Sequence, residues 1–321
     1  MKIKKEYCIL GAVILTLTLY LILHNPDRTH YTLPEMSRTS KGKISKIEIS
    51  KSDGSIILEK KDKGWQIFPH GYPADTDKVK TMLDIIEKLT LTALVSESRN
   101  YNMYDLHNDK KITVRVWAGD VLDRELDVGK AAASYRHTFI RIAGDDGVYH
   151  AQGNFRGKFD FTMEKLRDKV VFLFDKTEIK EIRITKDKQS MLFTRKQVPI
   201  EVSADEKTDV ADSPSPELET PSPELETIWQ SDDGHEVDEY GIERLLTTLS
   251  NLRCESYLDN RKKSDFTHPI CTLHVKDTQE HTLSIFAKKG KEDENYPAIS
   301  SMNNYPFMLS DQKANSIMKS L

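Results

Sequence analysis

The stretch ISKIEISK at residues 44–51 sets the pattern of the fold, and IKEIRITK at residues 179–186 repeats it 135 residues later. In both segments isoleucine alternates with polar residues, and this period of two is typical of a β-strand with one buried face. An amphipathic helical pattern follows in each half, with apolar residues at the spacing i, i+3, i+4, i+7 and i+10. The two sets lie at a constant offset of 163: Val79, Met82, Leu83, Ile86 and Leu89, and Ile242, Leu245, Leu246, Leu249 and Leu252.

Further matches surround these segments. Asp75 and Asp238 precede the two helices where an N-cap residue is expected, and Trp65 and Trp229 lie in the strands before them. Alternating apolar residues after the helices indicate more strands in each half: Ile112, Val114, Val116, Leu126 and Val128, and Cys271, Leu273, Val275, Leu283 and Ile285. We therefore predict an α+β fold, in which an N-terminal transmembrane helix precedes two tandem copies of a mixed strand and helix unit. Each copy is an antiparallel sheet with one main amphipathic helix.

The two α+β repeats are assigned to residues 44–175 and 176–321. They differ by about 29 residues inserted in the second copy, where the motif SPELET occurs at 215–220 and again at 222–227. Proline and acidic residues dominate residues 198–227 and aromatic residues are absent, which predicts a disordered, low-complexity loop. The whole chain has a formal net charge of −4, so it lacks the basic footprint of a nucleic-acid-binding protein.

The amino-terminal passage predicts a membrane anchor. From Tyr7 to Leu23 the chain has no charge and no proline, and three of the five residues at its start are lysine. As a helix this run is about 25 Å long, slightly under the hydrocarbon thickness of a bilayer. The alternative, a cleaved signal peptide, has a shorter apolar core and a small-x-small cleavage site. The run ends instead in His24-Asn25-Pro26.

These features predict the topology of the chain. We expect residues 1–6 to form a cytoplasmic tail, residues 7–23 a single transmembrane span, and residues 24–43 a polar stalk. Because basic residues favour the cytoplasmic side, the bulk of the chain is expected on the extracytoplasmic side of a bacterial inner membrane.

Four segments carry a family resemblance: Trp65 with PHGYPADTDKV at 69–79, LDVG at 126–129, Val148-Tyr149, and LRDKVVFLFDKTEIKEIRI at 166–184. In these segments the chain resembles the DUF4340 family of bacterial membrane-anchored proteins. The resemblance covers nearly everything after the stalk and is stronger in the first copy. Where the family tends to have Tyr-Gly-Leu, this chain has Tyr104-Asp105-Leu106.

The resemblance implies a role but no chemistry. The family is defined by sequence and supplies no catalytic residues. Its members are often encoded beside ABC-type transport components of the gliding-motility kind, which implies an auxiliary function at a membrane transporter.

Residues that could bind a metal or exchange protons fit structural roles better. His268, Cys271 and His274 have the spacing of a metal cluster, but alternation along a strand places Cys271 and His274 on opposite faces. The sequence Asp145-Asp146-Gly147 has the composition of a hairpin turn rather than of a catalytic carboxylate pair.

The remaining candidates give no catalytic pattern either. Cys254 and Cys271 occupy apolar positions, and the sequence leaves open whether they form a disulfide or remain buried thiols. No known nucleophile pattern accompanies the histidines at 70, 137 and 150. Trp65 and Trp229 could form a ligand platform, but their equivalent positions favour core packing.

We therefore predict no catalytic, cofactor-binding or metal-binding residues. The leading hypothesis is a non-enzymatic, membrane-anchored envelope protein that acts as an auxiliary subunit of a membrane complex, such as an ABC-type transporter. One alternative is an extracytoplasmic module that binds a ligand or glycan between the two copies. Another is a hydrolase with an unrecognised site.

Overall fold

The computed structural model describes residues 5–23, 31–36, 40–187, 189–199, 225–234, 237–288, 290 and 294–319. The chain divides into two compact units, Met1–Arg167 and Asp168–Leu321. The first unit contains the helices α1 (Lys5–Leu23), α2 (Thr76–Glu87) and α3 (Met163–Leu166), and the strands β1 (Ile44–Lys51), β2 (Gly54–Lys61), β3 (Gly64–Phe68), β4 (Tyr72–Pro73), β5 (Leu91–Ser96), β6 (Ile112–Ala118), β7 (Val121–Ala131), β8 (His137–Ile142) and β9 (Val148–Gln152). The second unit contains the strands β10 (Val170–Leu173), β11 (Glu181–Lys186), β12 (Gln189–Pro199), β13 (Leu225–Ser231), β14 (Asn251–Arg253), β15 (Ser256–Tyr257), β16 (Cys271–Lys276), β17 (Glu280–Ile285), β18 (Asn295–Ser300) and β19 (Phe307–Ser310), and the helices α4 (Glu239–Leu249) and α5 (Asp311–Lys319).

Each unit is built on one large antiparallel sheet. The first sheet has nine strands in the order β4-β3-β2-β1-β6-β7-β8-β9-β5, and the second has eight in the order β13-β12-β11-β16-β17-β18-β19-β15. The short strands β10 and β14 pair separately in the second unit. Apart from β4, the two large sheets therefore run through their strands in the same order.

The predicted α+β class is wrong, because the structure is mostly β. Each large sheet has eight or nine strands, whereas α2 and α4 have only 12 and 11 residues. Strands such as β12, with the sequence QSMLFTRKQVP, lack a clean alternation of apolar and polar residues. Such strands give a weaker sequence signal than an amphipathic helix does, so the sequence does not show how many strands each sheet contains.

The predicted transmembrane helix at residues 7–23 is also wrong. Helix α1 has 19 residues and begins with the charged pair Lys5 and Glu6. Its uncharged part is about 25 Å long, against the roughly 30 Å of hydrocarbon that a spanning helix must cross. Within the described part of the chain, no helix combines the length and apolar character that membrane crossing requires.

Two other predicted segments lie partly outside the described residues. For the stalk, residues 24–30 and 37–39 lie outside them, and Lys41–Lys43 form a short 3-10 helix. For the acidic loop predicted at 198–227, residues 200–224 lie outside them. The two ends of that segment are strand, because Val198 of β12 pairs with Glu226 of β13.

Helix α2 covers the apolar face of the first sheet. As predicted, Asp75 caps it and accepts a hydrogen bond from the Lys78 amide at 3.2 Å. On β7, Arg124 alternates with the buried residues Leu126 and Val128, and its Nη1 donates to the carbonyl of Ile86 at 2.7 Å. The buried helix residues are Val79, Met82 and Ile86, whereas Leu83 is only half-buried.

The opposite face of the first sheet is partly covered by residues 97–111. A Cβ atom on Gly129 of β7 would lie 2.2 Å from the carbonyl oxygen of Tyr104, so only glycine permits this close approach. The turn that follows Tyr104 keeps the left-handed backbone that glycine favours, with Asp105 at φ 54°. Asp105 therefore adopts, without being glycine, a backbone conformation that glycine favours.

The second unit buries a continuous apolar cluster between its sheet and its helices. Asp238 caps α4 as predicted and accepts a hydrogen bond from the Gly241 amide at 2.9 Å. The buried side chains of α4 are Ile242, Leu245, Leu246 and Leu249, and α5 adds Ala314 and Ile317.

Changing Leu246 to aspartate tests this core. Leu246 is completely buried, so Leu246→Asp places a carboxylate in an apolar cluster and should lower the free energy of unfolding by roughly 4 kcal/mol. In the same helix Arg244 is exposed, and Arg244→Ala should change that free energy by no more than about 0.5 kcal/mol. Urea denaturation measures both, and equal effects of the two changes would contradict this packing.

The close approach at Gly129 makes a second prediction. Gly129→Ala forces the Tyr104 backbone away from β7 and should destabilise the first unit by about 2 kcal/mol. Gly157→Ala is the matched control, because a Cβ atom there has no neighbour within 4 Å and should be neutral within about 0.5 kcal/mol. If thermal unfolding is the same in both variants, residues 97–111 do not pack as described.

Candidate functional site

Charged side chains form rows across the outer face of the first sheet. Glu48 of β1, Arg115 of β6 and Glu125 of β7 are direct cross-strand neighbours. Arg115 lies 3.1 Å from Glu48 through Nη1 and 3.0 Å from Glu125 through Nε. Because neighbouring residues on adjacent strands face the same side, one arginine links two carboxylates from different strands.

A second row centres on Asp127, which is 5% exposed. Its carboxylate accepts hydrogen bonds from Thr113 Oγ1 at 2.7 Å, from Arg141 Nη2 at 2.6 Å and from Lys111 Nζ at 3.2 Å. Burial alone would raise the pKa of Asp127, but the hydrogen bonds from Thr113 and Arg141 and the charge of Lys111 outweigh burial and lower it. Asp127 is therefore an ionised anchor for three strand side chains and not a proton donor at neutral pH.

A polar cavity of 320 Å³ opens beside this row. Its ionisable lining residues are Lys111, Glu125, Asp127, Arg141, Asp145 and Asp146. In the turn between β8 and β9, Asp145 accepts hydrogen bonds from the Gly147 amide and the Tyr149 hydroxyl, both at 2.7 Å. Asp146 pairs with Arg99.

Burial and hydrogen bonding in and beside this cavity shift the pKa values of Asp127 and Tyr149. Burial, together with the hydrogen bond to Asp145, raises the pKa of Tyr149. A general acid or base works best when its pKa lies near the working pH. The pKa values of Asp127 and Tyr149 move away from neutrality in opposite directions, and the hydrogen bonds of both groups hold the turn and the sheet together.

An aromatic stripe continues along the same face. Tyr104 lies 4.9 Å from Phe139, Phe139 lies 4.8 Å from His150, and the rings of His150 and His137 stack at 5.1 Å between centroids. Among the described residues the buried Nε2 of His150 has no hydrogen-bond partner. Burial and the neighbouring His137 both lower the pKa of His150, which favours a neutral ring.

Two segments that carry the family resemblance meet at a buried arginine. Arg167, which is 2% exposed, places its guanidinium 3.7 Å from the ring centroid of Tyr72. Ala74 forms a β-bridge with Arg167, and the amide of Asp75 donates to the Leu166 carbonyl at 2.8 Å. The segments GYPAD and LRD therefore hold the start of α2 against the end of the first unit, which is a structural role.

The apparent metal cluster in the second unit does not converge. Cys271 is completely buried, and burial raises the pKa of its thiol to about 11. His274 alternates with the buried strand residues and lies 2.8 Å from Glu280 on the other face, while His268 is exposed. In the described ranges, no three His, Cys, Asp or Glu side chains form a group that could hold a metal ion.

The remaining sequence candidates are also dispersed. Cys254 and Cys271 are both buried free thiols, which answers the question that the sequence left open. His70 stacks on Tyr72 at 5.0 Å. Trp229 is buried as expected for a core residue, but Trp65 is only half-buried.

In the part of the chain that the structure describes, exposed large apolar side chains are concentrated on α1. Between Ile9 and Leu21, eight large aliphatic side chains of α1 are between 49% and 72% exposed: Ile9, Leu10, Val13, Ile14, Leu15, Leu17, Leu19 and Leu21. The hydroxyls of Thr16 and Thr18 donate to the carbonyls of Ala12 and Ile14, each at 2.8 Å, so they are satisfied within the helix. This helix therefore presents apolar surface in all directions.

Sequence reasoning missed the row around Asp127. The signal was present in LDRELDVG at 122–129, where Glu125 and Asp127 alternate with apolar residues and so share the outer face. Their partners on β6 and β8 depend on strand register, which a single sequence does not supply.

Replacing Asp127 tests its role as an anchor. The folded-state pKa of Asp127 is lowered, so its stabilising contribution is complete above the unfolded pKa of about 4 and is lost as the pH falls through the folded value. Asp127→Asn should therefore lower the free energy of unfolding by about 2 kcal/mol at pH 7. Denaturation curves measured down to pH 2 should show this difference shrinking, and a difference that stays constant with pH would contradict the ionised anchor.

Comparison with known proteins identifies the family but not a characterised relative. The family described as a domain of unknown function, DUF4340, matches residues 65–269. This match covers more than half of the chain and includes the segments GYPAD, LDVG and LRD. No curated protein and no solved structure matches the chain. The chain therefore belongs to the DUF4340 family.

Proposed function

We propose that this protein is a non-enzymatic interaction protein that associates with a membrane through α1 and contacts a membrane complex through its β units. The observation that carries the proposal is the exposure of eight aliphatic side chains on one helix. Burying one leucine or isoleucine side chain contributes about 1.5–3 kcal/mol. Several buried together outweigh the loss of freedom on association.

The distribution of apolar residues favours lipid over a protein groove. A helix that is apolar on one face fits a groove, whereas a helix that is apolar all round needs an apolar environment all round. The satisfied hydroxyls of Thr16 and Thr18 remove the main polar penalty of entering such an environment. The lysines at positions 2, 4 and 5 add attraction to anionic lipid headgroups.

The proposed location and partner rest on other features. The lysines at the start of the chain support a location at the anionic surface of a bacterial inner membrane. The family resemblance supports an ABC-type transporter as the complex that these units contact. The non-enzymatic part is supported by the bonding around Asp127, where the ionisable side chains stabilise the sheet.

Vesicle flotation tests the membrane contact. The full chain should float with lipid vesicles, and Leu15→Asp combined with Leu19→Asp should reduce the floated fraction at least tenfold, because each carboxylate costs about 3 kcal/mol in hydrocarbon. Leu15→Val combined with Leu19→Val is the matched control and should float like the parent chain. A parent chain that stays with the soluble fraction, or an aspartate variant that floats equally well, would contradict the proposal.

Co-purification from native membranes tests the partner. After gentle solubilisation, transporter subunits should be enriched with this protein over a parallel purification without it. If only abundant membrane proteins are recovered, at equal levels in both purifications, the transporter part of the proposal is contradicted. The proposed lipid contact is not affected by that result.

A further inference from the structure

Two hairpin tips lie together at one end of the first sheet. Ile44, at the start of β1, pairs with Ala118 at the end of β6, and Lys46 pairs with Glu59 near the end of β2. The β2–β3 turn at residues 61–64 and the β6–β7 turn at residues 118–121 therefore flank the start of β1. We call residues 43–46, 59–64 and 117–122 the basic tip.

The basic tip exposes apolar side chains. Val121 is 70% exposed and Leu122 is 46% exposed. Beside them the ring of Trp117 is half-buried, with Lys46 Nζ 4.2 Å from its centroid. Lysine stems and tryptophan rings suit the boundary between water and lipid, since each has an apolar body and a polar end.

The charge of the basic tip is positive. It contains five lysines, at positions 43, 46, 60, 61 and 63, against the three carboxylates of Glu59, Asp62 and Asp120. Only Lys61 forms an ion pair with one of these carboxylates in the described structure, at 2.7 Å from Glu59. Clustered lysines are attracted to an anionic membrane surface.

The small exposed apolar area of the basic tip favours a lipid surface over a protein as its partner. A specific protein interface buries about 800 Å² on each partner, far more than two exposed side chains provide. Two apolar side chains among lysines are sufficient for contact with headgroups, which needs no shape complementarity. The chain also enters the sheet at this end, because β1 begins at Ile44 and α1 ends at Leu23.

We propose that the basic tip lies against the surface of an anionic lipid bilayer and so orients the first sheet relative to the membrane. This inference rests on the proposed membrane contact of α1 and adds a second contact, made by a different part of the first unit. Val121 and Leu122 enter the headgroup region, and the lysines face the lipid phosphates.

Site-specific labelling tests this contact in the full chain. In a Cys8→Ser background the two remaining cysteines are buried, so an environment-sensitive fluorophore reacts at one introduced cysteine. Val121→Cys places the label at the basic tip, and Asp53→Cys places it in the exposed turn at the opposite end of β1. With vesicles that contain phosphatidylglycerol, the label at 121 should shift to shorter wavelength and be quenched by brominated lipid, and the label at 53 should not change.

The charge is tested in the same experiment. Lys60→Gln, Lys61→Gln and Lys63→Gln together should reduce the response at position 121 at least twofold, and pure phosphatidylcholine vesicles should do the same. A chain that floats while its label at 121 remains in water would overturn this inference alone, whereas a chain that does not float overturns the proposed function. A response at 121 that requires native membrane proteins and is absent in protein-free vesicles would show a protein partner instead.

Discussion

Successive side chains along a strand point to opposite faces of the sheet, and the structure depends on this alternation. Every strand of a large sheet therefore contributes side chains to both faces. In the first unit one face is apolar and packs under α2, so the other face must remain compatible with water. That face is built from cross-strand rows around Arg115 and Asp127, and residues 97–111 cover its far side. Gly129 is required where residues 97–111 pack on this face, since any side chain there would displace the backbone at Tyr104.

The features that the sequence predicts correctly are local ones. Asp75 and Asp238 cap their helices, because capping needs only the residue and its position before the helix. The fold class is wrong because short or mixed strands such as β12 lack a strong period, and Leu83 is less buried than its helical spacing suggests. The pairing of Asp127 with Arg141 depends on the register of β7 against β8, which is a long-range property.

The ionisable and apolar surfaces point to different roles. The ionisable side chains that line the polar cavity beside Asp127 bond to one another or to neighbouring residues of the sheet and its turns, and these bonds stabilise the sheet. Helix α1 and the exposed pair Val121 and Leu122 have apolar surface that faces outward. Surfaces of this kind mark places where a protein contacts a partner or a membrane. We therefore propose that the protein functions through association at these outward-facing apolar surfaces, whereas the charged rows stabilise the sheet.

Hydrogen–deuterium exchange of the full chain, with and without anionic vesicles, tests this division most directly. An isolated helix in water opens readily, so its amides gain protection when lipid surrounds it. If α1 and the basic tip contact lipid, vesicles should protect the amides of α1 and of residues 117–122 and leave the exchange of the strands around Asp127 unchanged. Unchanged exchange in α1, or protection centred on residues 97–111 and the turn between β8 and β9, would contradict this proposal.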